Sequence, residues 1–120
     1  MTKQITIIET PPFLREADNL FSVEQRESLI EHLSATPNDG AIIRGTGGMR
    51  KLRWQSGGKG KRGGARVIYY YFNKDHPVFL LAAYGKNEKS DLSSAERNAL
   101  KAVSKRIIDG YAAGTKRNTR

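Results

Sequence analysis

The apolar positions of this chain change their spacing several times, and each change predicts a new element of secondary structure. Gln4–Glu9 is rich in β-branched side chains and predicts a short opening strand, which the two prolines that follow bring to an end. Apolar residues then recur at helical spacing over Phe13–Leu20 and again over Val23–Ala35. Ser22 has the position of an N-cap for the second helix, and Gln25, three residues on, predicts a capping box. The first third of the chain therefore predicts a strand followed by two helices.

The middle of the chain alternates between apolar and polar residues, a spacing typical of strands. Strands are predicted over Met49–Gln55, Ala65–Asn73 and Val78–Tyr84, and Ala41–Gly48 is predicted to be a connector. Helical spacing returns over Leu92–Ala112. The order β-α-α-β-β-β-α predicts a small α+β domain, with an antiparallel sheet and helices packed on one of its sides.

Length and composition fit one domain. Residues 1–114 are predicted to form it, and residues 115–120 are predicted to be a basic disordered tail. The chain has no cysteine, which excludes disulfides and thiolate metal sites. No apolar run approaches the roughly 20 residues that span a bilayer, and no export signal is recognisable, so a cytoplasmic protein without membrane contact is expected.

Positive charge is concentrated in Arg44–Arg66, which holds eight basic residues and no acidic one. The whole chain has a formal net charge of +9 and a pI near 10.0, values typical of proteins that bind a polyanion. In the strand predicted within this stretch, Lys51 and Arg53 share the outward face, while Leu52 and Trp54 face the core. These features predict a nucleic-acid-binding protein, with RNA as the expected ligand.

Three blocks of this sequence resemble the signature blocks of RelE/HigB-type toxins, the toxin halves of bacterial type II toxin–antitoxin modules. The blocks are GTGGMRKLR over Gly45–Arg53, GKRGGARVIYY over Gly60–Tyr70 and YGKNEKSDL over Tyr84–Leu92. They are most similar to the HigB branch, and the predicted order of elements agrees with the family. The resemblance implies a ribosome-dependent endoribonuclease that cleaves mRNA without a metal or another cofactor. It also implies an antitoxin partner, expected to be a helix-turn-helix protein, and a toxin that is monomeric alone or heteromeric with its antitoxin.

Metal-free RNA cleavage requires activation of the ribose 2′-OH, stabilisation of a dianionic phosphorane and protonation of the departing 5′ oxygen. Basic side chains can stabilise the phosphorane, because a guanidinium binds two phosphoryl oxygens and an ammonium supplies a compact charge. By their position in the signature blocks, the residues expected to be catalytic are Lys51, Arg53, Arg66 and Lys86. The residues expected to bind RNA without reading its sequence are Arg50, Lys59, Lys61, Arg62 and Asn87.

The residue that moves the protons is left open by the sequence. Ser93 or a neighbour stands where some members of the family have a tyrosine, and His32 and His76 fall on a helix and in a turn. Lys51 and Tyr84 remain as candidates for the general base. No metal site is predicted.

Other functions and plainer structural roles remain open. A toxin of the related ParE branch would use the same fold to poison gyrase, and a non-enzymatic module would bind RNA without cutting it. Lys51 and Arg53 could form an ordinary solvated strand face. Trp54 and Tyr70 are predicted to pack in the core rather than to stack on bases.

Overall fold

A computed structural model describes residues 5–57, 64–86, 88 and 91–118, with the backbone alone for residues 112–118. The elements occur along the chain in the order β1 (Ile7–Glu9), α1 (Pro11–Leu20), α2 (Val23–Ala35), β2 (Ala41–Ile42), β3 (Met49–Trp54), β4 (Ala65–Tyr70), β5 (Val78–Gly85) and α3 (Ser94–Asn118). The predicted α+β class is confirmed. β2 is an additional short strand inside the predicted connector.

The strands form one five-stranded sheet in the order β1-β5-β4-β3-β2. β2 to β5 pair in antiparallel fashion, but β1 pairs with β5 in parallel, with Ile7 opposite Val78. The sheet is therefore mixed: the predicted antiparallel pairing is confirmed for β2 to β5, and β1 joins them as a parallel strand. A parallel pair needs a long crossover, and here all of the elements from α1 to β4 lie between the two strands in the chain.

Helices cover both faces of the sheet, although the sequence predicts them on one side only. α1 and α2 pack on the face that includes Val67 and Tyr69. α3 packs on the opposite face, which includes Ile68 and Tyr70. The reason is that β4 is apolar and buried at four successive positions, so neither of its faces can be left to solvent.

The caps of the two longer helices follow the local sequence. Ser22 and Gln25 form the predicted capping box of α2, in which the backbone N–H of each residue donates to the side chain of the other. Ser93 and Glu96 make the same pair of hydrogen bonds at the start of α3. α3 continues to Asn118, well into the segment for which the sequence predicts a disordered tail. The division of the chain into a domain and a tail stays a prediction.

Two side chains predicted to pack in the core do so. Tyr70 is 3% exposed, and half-buried Trp54 packs against the cluster beneath α1 and α2. The indole Nε1–H of Trp54 donates to the carbonyl of Gln25 in α2, at 2.9 Å. The neighbouring Tyr69 is fully buried, and its burial raises the pKa of its phenol.

A tight turn between β2 and β3 supports α3. The Ser104 hydroxyl of α3 donates to the carbonyl of Thr46 in this turn, at 3.2 Å. Gly47 has a φ of +74°, and a Cβ at this position would overlap Ser104 Oγ. Only glycine combines that backbone conformation with such a close approach to the helix.

Gly47→Ala is therefore expected to destabilise the protein more than Gly45→Ala. Both glycines have a positive φ, for which a side chain costs about 1–2 kcal/mol, but a Cβ at Gly45 would meet no atom within 4 Å. The measurement is the free energy of unfolding in urea for the two variants. Adding Ser104→Ala to Gly47→Ala should recover part of the loss, because it removes the overlapping oxygen. Equal destabilisation by the two glycine substitutions would contradict this account of how α3 is held.

Candidate nucleic-acid interface

Three of the predicted catalytic residues lie on one face of the sheet, because the strand register aligns them. Arg53 of β3 is directly opposite Arg66 of β4, and Lys51 lies two residues from Arg53 along β3. Residues opposite each other in antiparallel strands project to the same side of the sheet, and so do residues two apart in one strand. Lys51, Arg53 and Arg66 therefore form one surface, here called the cation face.

On the side of β3 that carries the cation face, the side chains become more exposed from Met49 to Arg53. Met49 is fully buried and belongs to the apolar cluster on which α3 packs. Lys51, two residues on, is half-buried, and Arg53 is exposed. Arg66 is half-buried. α3 thus covers the apolar end of this side of the sheet and leaves the cationic end open.

A cleft adjoins the cation face at β5. Tyr84 is directly opposite Arg66 in the register of β4 and β5, and it is 4% exposed. Tyr84 and Ile68 line a cavity of about 520 Å³, which is bounded by the start of α1 and by the first turns of α3. The register therefore brings a phenol and two guanidinium groups into one row across three strands.

A carboxylate from the segment before α3 also contacts the cation face. Asp91 Oδ1 lies 3.5 Å from Lys51 Nζ, and Asp91 Oδ2 accepts a hydrogen bond of 3.1 Å from Arg97 Nη2 in α3. The backbone N–H of Leu92 donates to Asp91 Oδ1, at 2.8 Å. That hydrogen bond lowers the pKa of Asp91, and the charge of Lys51 lowers it further. The carboxylate is therefore ionised at neutral pH. Its stabilising contacts are fully present above pH 3.8 and are lost as the pH falls through the lowered pKa.

Asp91 and Arg97 are not among the site residues predicted from the sequence. Asp91 precedes α3 and Arg97 lies within it, so no single helical or strand pattern links them, and Arg97 follows the pattern of a polar residue on a solvated helix face. Only the chain's path from β5 into α3 brings the two side chains to Lys51. The lack of acidic residues in Arg44–Arg66 was a hint that a partner for Lys51 would come from elsewhere.

Arg50 is not part of the cation face. It is opposite Tyr69 in the register of β3 and β4, which places it on the side that α1 and α2 cover. Its Nη1 donates to the carbonyls of Asn38 and Gly40, at 3.1 and 2.7 Å. These bonds tie the loop after α2 to β3. In this structure, the arginine predicted to bind RNA holds a loop in place.

Lys86 lies at the end of the sheet where the cation face opens. It follows the last residue of β5, and its backbone N–H donates to the carbonyl of Gly64, at 3.3 Å, just before β4 begins. Its side chain is exposed. The other predicted RNA-binding residues lie outside the described residues: Lys59, Lys61, Arg62 and Asn87.

Both histidines have structural surroundings away from the cation face. His32 pairs with Asp39 at 2.8 Å and packs against Trp54. His76 is stacked on Phe72 in the turn before β5, at the opposite end of that strand from Tyr84. Among the residues that the structure describes, no group of three or more His, Cys, Asp or Glu side chains is arranged to hold a metal ion. Within the same residues, no helix combines the length and the apolar character needed to cross a bilayer.

Comparisons with known proteins agree with this architecture. A family model described as the RelE toxin of the RelE / RelB toxin-antitoxin system matches residues 23–116. Among solved structures, the chain is similar to the E. coli toxin RelE in the free state, in a mutant with two arginines changed to alanine. The two chains are 17% identical, the match covers 72% of this chain and 88% of that one, and the TM-score is 0.54. At this identity the structural likeness supports the fold. Because the family model spans most of the chain, the protein belongs to the RelE toxin family and is a toxin of a toxin–antitoxin system with an antitoxin as its partner.

Proposed function

We propose that this toxin is a ribosome-dependent endoribonuclease that cleaves mRNA without a metal ion. The observation that carries the proposal is the register of β3 and β4, which sets Arg53 opposite Arg66 and beside Lys51 on an accessible face. Guanidinium groups on one face of a sheet can each bind oxygens of the same phosphate. The cation face therefore has the charge and the strand alignment that a phosphodiester site needs.

The chemistry proposed is an attack by the ribose 2′ oxygen on the adjacent phosphorus. The new bond from oxygen to phosphorus forms as the bond from phosphorus to the 5′ oxygen breaks, leaving a 2′,3′-cyclic phosphate and a 5′-hydroxyl. A proton leaves the 2′-OH and another reaches the 5′ oxygen, so the charge balances. The phosphorane carries two negative charges, which Arg53 and Arg66 stabilise through paired hydrogen bonds.

Of the two candidates for the general base, we favour Tyr84. Lys51 Nζ lies 3.5 Å from an oxygen of Asp91, an anion that it shares with Arg97, so we assign Lys51 to the binding of phosphate oxygens. The Tyr84 phenol is directly opposite Arg66, in the same row as the proposed phosphate site. We therefore assign proton abstraction from the 2′-OH to Tyr84.

The ribosome and the antitoxin have separate roles in this proposal. The ribosome holds the mRNA in the geometry for in-line attack, which lowers the entropic cost of the reaction. The basic segment between β3 and β4 contacts RNA phosphates without reading the sequence, and exposed Lys86, which is expected to be catalytic, adds positive charge for the phosphorane. A helix-turn-helix antitoxin silences the toxin by covering the cation face. The toxin acts in the cytoplasm, where the translating ribosomes are.

Arg66→Gln and Lys51→Gln should each lower the rate of mRNA cleavage on programmed ribosomes by about 100-fold to 1,000-fold, the typical loss on removing one transition-state donor. Single-turnover mapping of mRNA ends measures this rate. The matched control is Lys74→Gln, an exposed residue in the turn before β5, which should cleave as the parent protein does. Unfolding in urea verifies that each variant is folded. Full cleavage by folded Arg66→Gln would overturn the proposed site.

Replacement of the nucleotide before the scissile phosphate by its 2′-deoxy form should abolish cleavage, because the nucleophile is then absent. In a minimal toxin–ribosome reaction kept at a fixed Mg²⁺ concentration, added Mn²⁺ or Zn²⁺ should not raise the rate. The products should end in a 2′,3′-cyclic phosphate, which mass spectrometry identifies. Cleavage of the deoxy substrate at the parent rate would contradict the proposed chemistry.

Tyr84→Phe should lower the cleavage rate by about 100-fold to 10,000-fold, the range of general acid–base contributions. Binding of the ribosome should be little changed, since the ring keeps its place in the core. The matched control is Tyr71→Phe, a half-buried tyrosine that packs on the opposite side of the sheet. Unimpaired cleavage by Tyr84→Phe would transfer the role of base to another group.

A further inference from the structure

Asp91 and Arg97 extend the cation face beyond the residues assigned so far. This inference rests on the proposed function, since it concerns the RNA that the cation face would bind. We infer that Arg97 is a further phosphate-binding residue and that the Asp91 carboxylate occupies, in the RNA-free toxin, the position of an RNA phosphate. Asp91 then gives way when RNA binds.

The contacts of Asp91 are those that a phosphodiester would make. Its two oxygens are divided between two cations from different elements, Lys51 of β3 and Arg97 of α3. A phosphodiester likewise presents two non-bridging oxygens, and ammonium and guanidinium groups bind carboxylates and phosphates in the same way. A site that holds one such anion between two fixed cations is therefore suited to the other.

Arg97 has a hydrogen-bond donor that Asp91 does not use. Its Nη2 donates to Asp91, but its Nε is buried and has no hydrogen-bond partner among the described residues. A buried donor without an acceptor carries an energetic cost that a suitable ligand removes. Each non-bridging oxygen of a phosphodiester can accept more than one hydrogen bond, so a phosphate can engage both Nη2 and Nε of Arg97. Asp91, which also accepts from the backbone N–H of Leu92, engages Nη2 alone.

The contacts of Asp91 with Lys51 and Arg97 are weak enough for a phosphate to replace them. The Asp91 side chain is 54% exposed, and ion pairs in contact with water contribute little to stability. Asp91 thus keeps Lys51 and Arg97 close together without closing the site. Once a phosphate is present, the carboxylate becomes a nearby like charge, which disfavours the complex. Removal of the carboxylate should therefore strengthen RNA binding.

The test is the binding of a short 2′-O-methyl oligoribonucleotide, which the toxin cannot cleave, to the full-length protein across a range of salt concentrations. Arg97→Gln and Lys51→Gln should each weaken binding at low salt about tenfold to 100-fold, the size of one charge-assisted contact. Each should also reduce the salt slope by about 0.7, the value for one phosphate contact on a single strand. Asp91→Asn should tighten binding about threefold or more, since it removes one repulsive charge.

Matched controls come from the same helix. Arg106→Gln removes the same charge from an exposed position of α3, and Asp109→Asn removes an acid that pairs with Lys105 one turn away. Both controls should change binding by less than about twofold, because they lie outside the site. Any general effect of net charge would appear equally in the controls and in the test variants.

A second measurement distinguishes replacement of Asp91 by an RNA phosphate from a purely structural role of Asp91. NMR can follow the pKa of Asp91. The Leu92 N–H and the charge of Lys51 lower this pKa in the free toxin, and it should rise when the oligonucleotide binds. The rise is expected because a phosphate takes over Lys51 and Arg97 and adds negative charge nearby. An Asp91 that merely stabilises the start of α3 would keep its lowered pKa in the complex.

The outcomes distinguish this inference from the proposed function. If neither Lys51 nor Arg97 affects oligonucleotide binding, both fail. If Lys51→Gln weakens binding while Arg97→Gln and Asp91→Asn behave like their controls, the inference fails and the proposed function stands. If Asp91→Asn weakens binding, or if the pKa of Asp91 stays lowered in the complex, Asp91 is not a stand-in for phosphate. Weaker binding by Arg97→Gln and Lys51→Gln, together with tighter binding by Asp91→Asn and a rise in the pKa of Asp91, would support the extended site.

Discussion

The backbone hydrogen bonds between β3 and β4 are the constraint on which the rest of the site depends. They set Arg53 opposite Arg66, and a slip of one residue would turn every side chain of β3 to the other face. That slip would bury the cations beneath α1 and α2 and expose Leu52. Burial of the apolar residues therefore fixes the register of β3 and β4, and the register fixes the positions of Lys51, Arg53 and Arg66. Packing and function depend on the same ladder of hydrogen bonds.

α3 has two roles on the cation-bearing side of the sheet. Through Leu100, Val103 and Ile107 it covers apolar residues of β3, β4 and β5, and Ser104 contacts the turn before β3. At its start it brings Arg97 towards Lys51, through Asp91. The site is therefore assembled from a rigid sheet and from the first turn of a helix. A partner that changed the position of α3 would alter the cleft as well as the cover of the core.

Much of the fold followed from local patterns in the sequence. The period-2 spacing of β3 correctly predicted that Leu52 and Trp54 face the core, but Met49, on the same face as Lys51, is buried beneath α3. Ser22 with Gln25 correctly marked the start of α2. The parallel pairing of β1 with β5 could not be predicted in this way, because strand partners far apart in the chain leave no local signal. The packing of α3 on the sheet face opposite α1 and α2 was not predicted either. The four successive apolar residues of β4, all buried, indicated that both faces of the sheet need cover.

The sequence by itself determined the family resemblance, the excess of positive charge and the shared face of Lys51 and Arg53, since these depend on residue identity and on the pitch of a single strand. Only the tertiary structure decided which other groups join them. It aligned Arg66 and Tyr84 with Arg53, brought Asp91 and Arg97 to Lys51, and turned Arg50 away to hold a loop. The physical reason is that these meetings depend on the pairing of strands and the path of connections, which are settled by burial of the whole core.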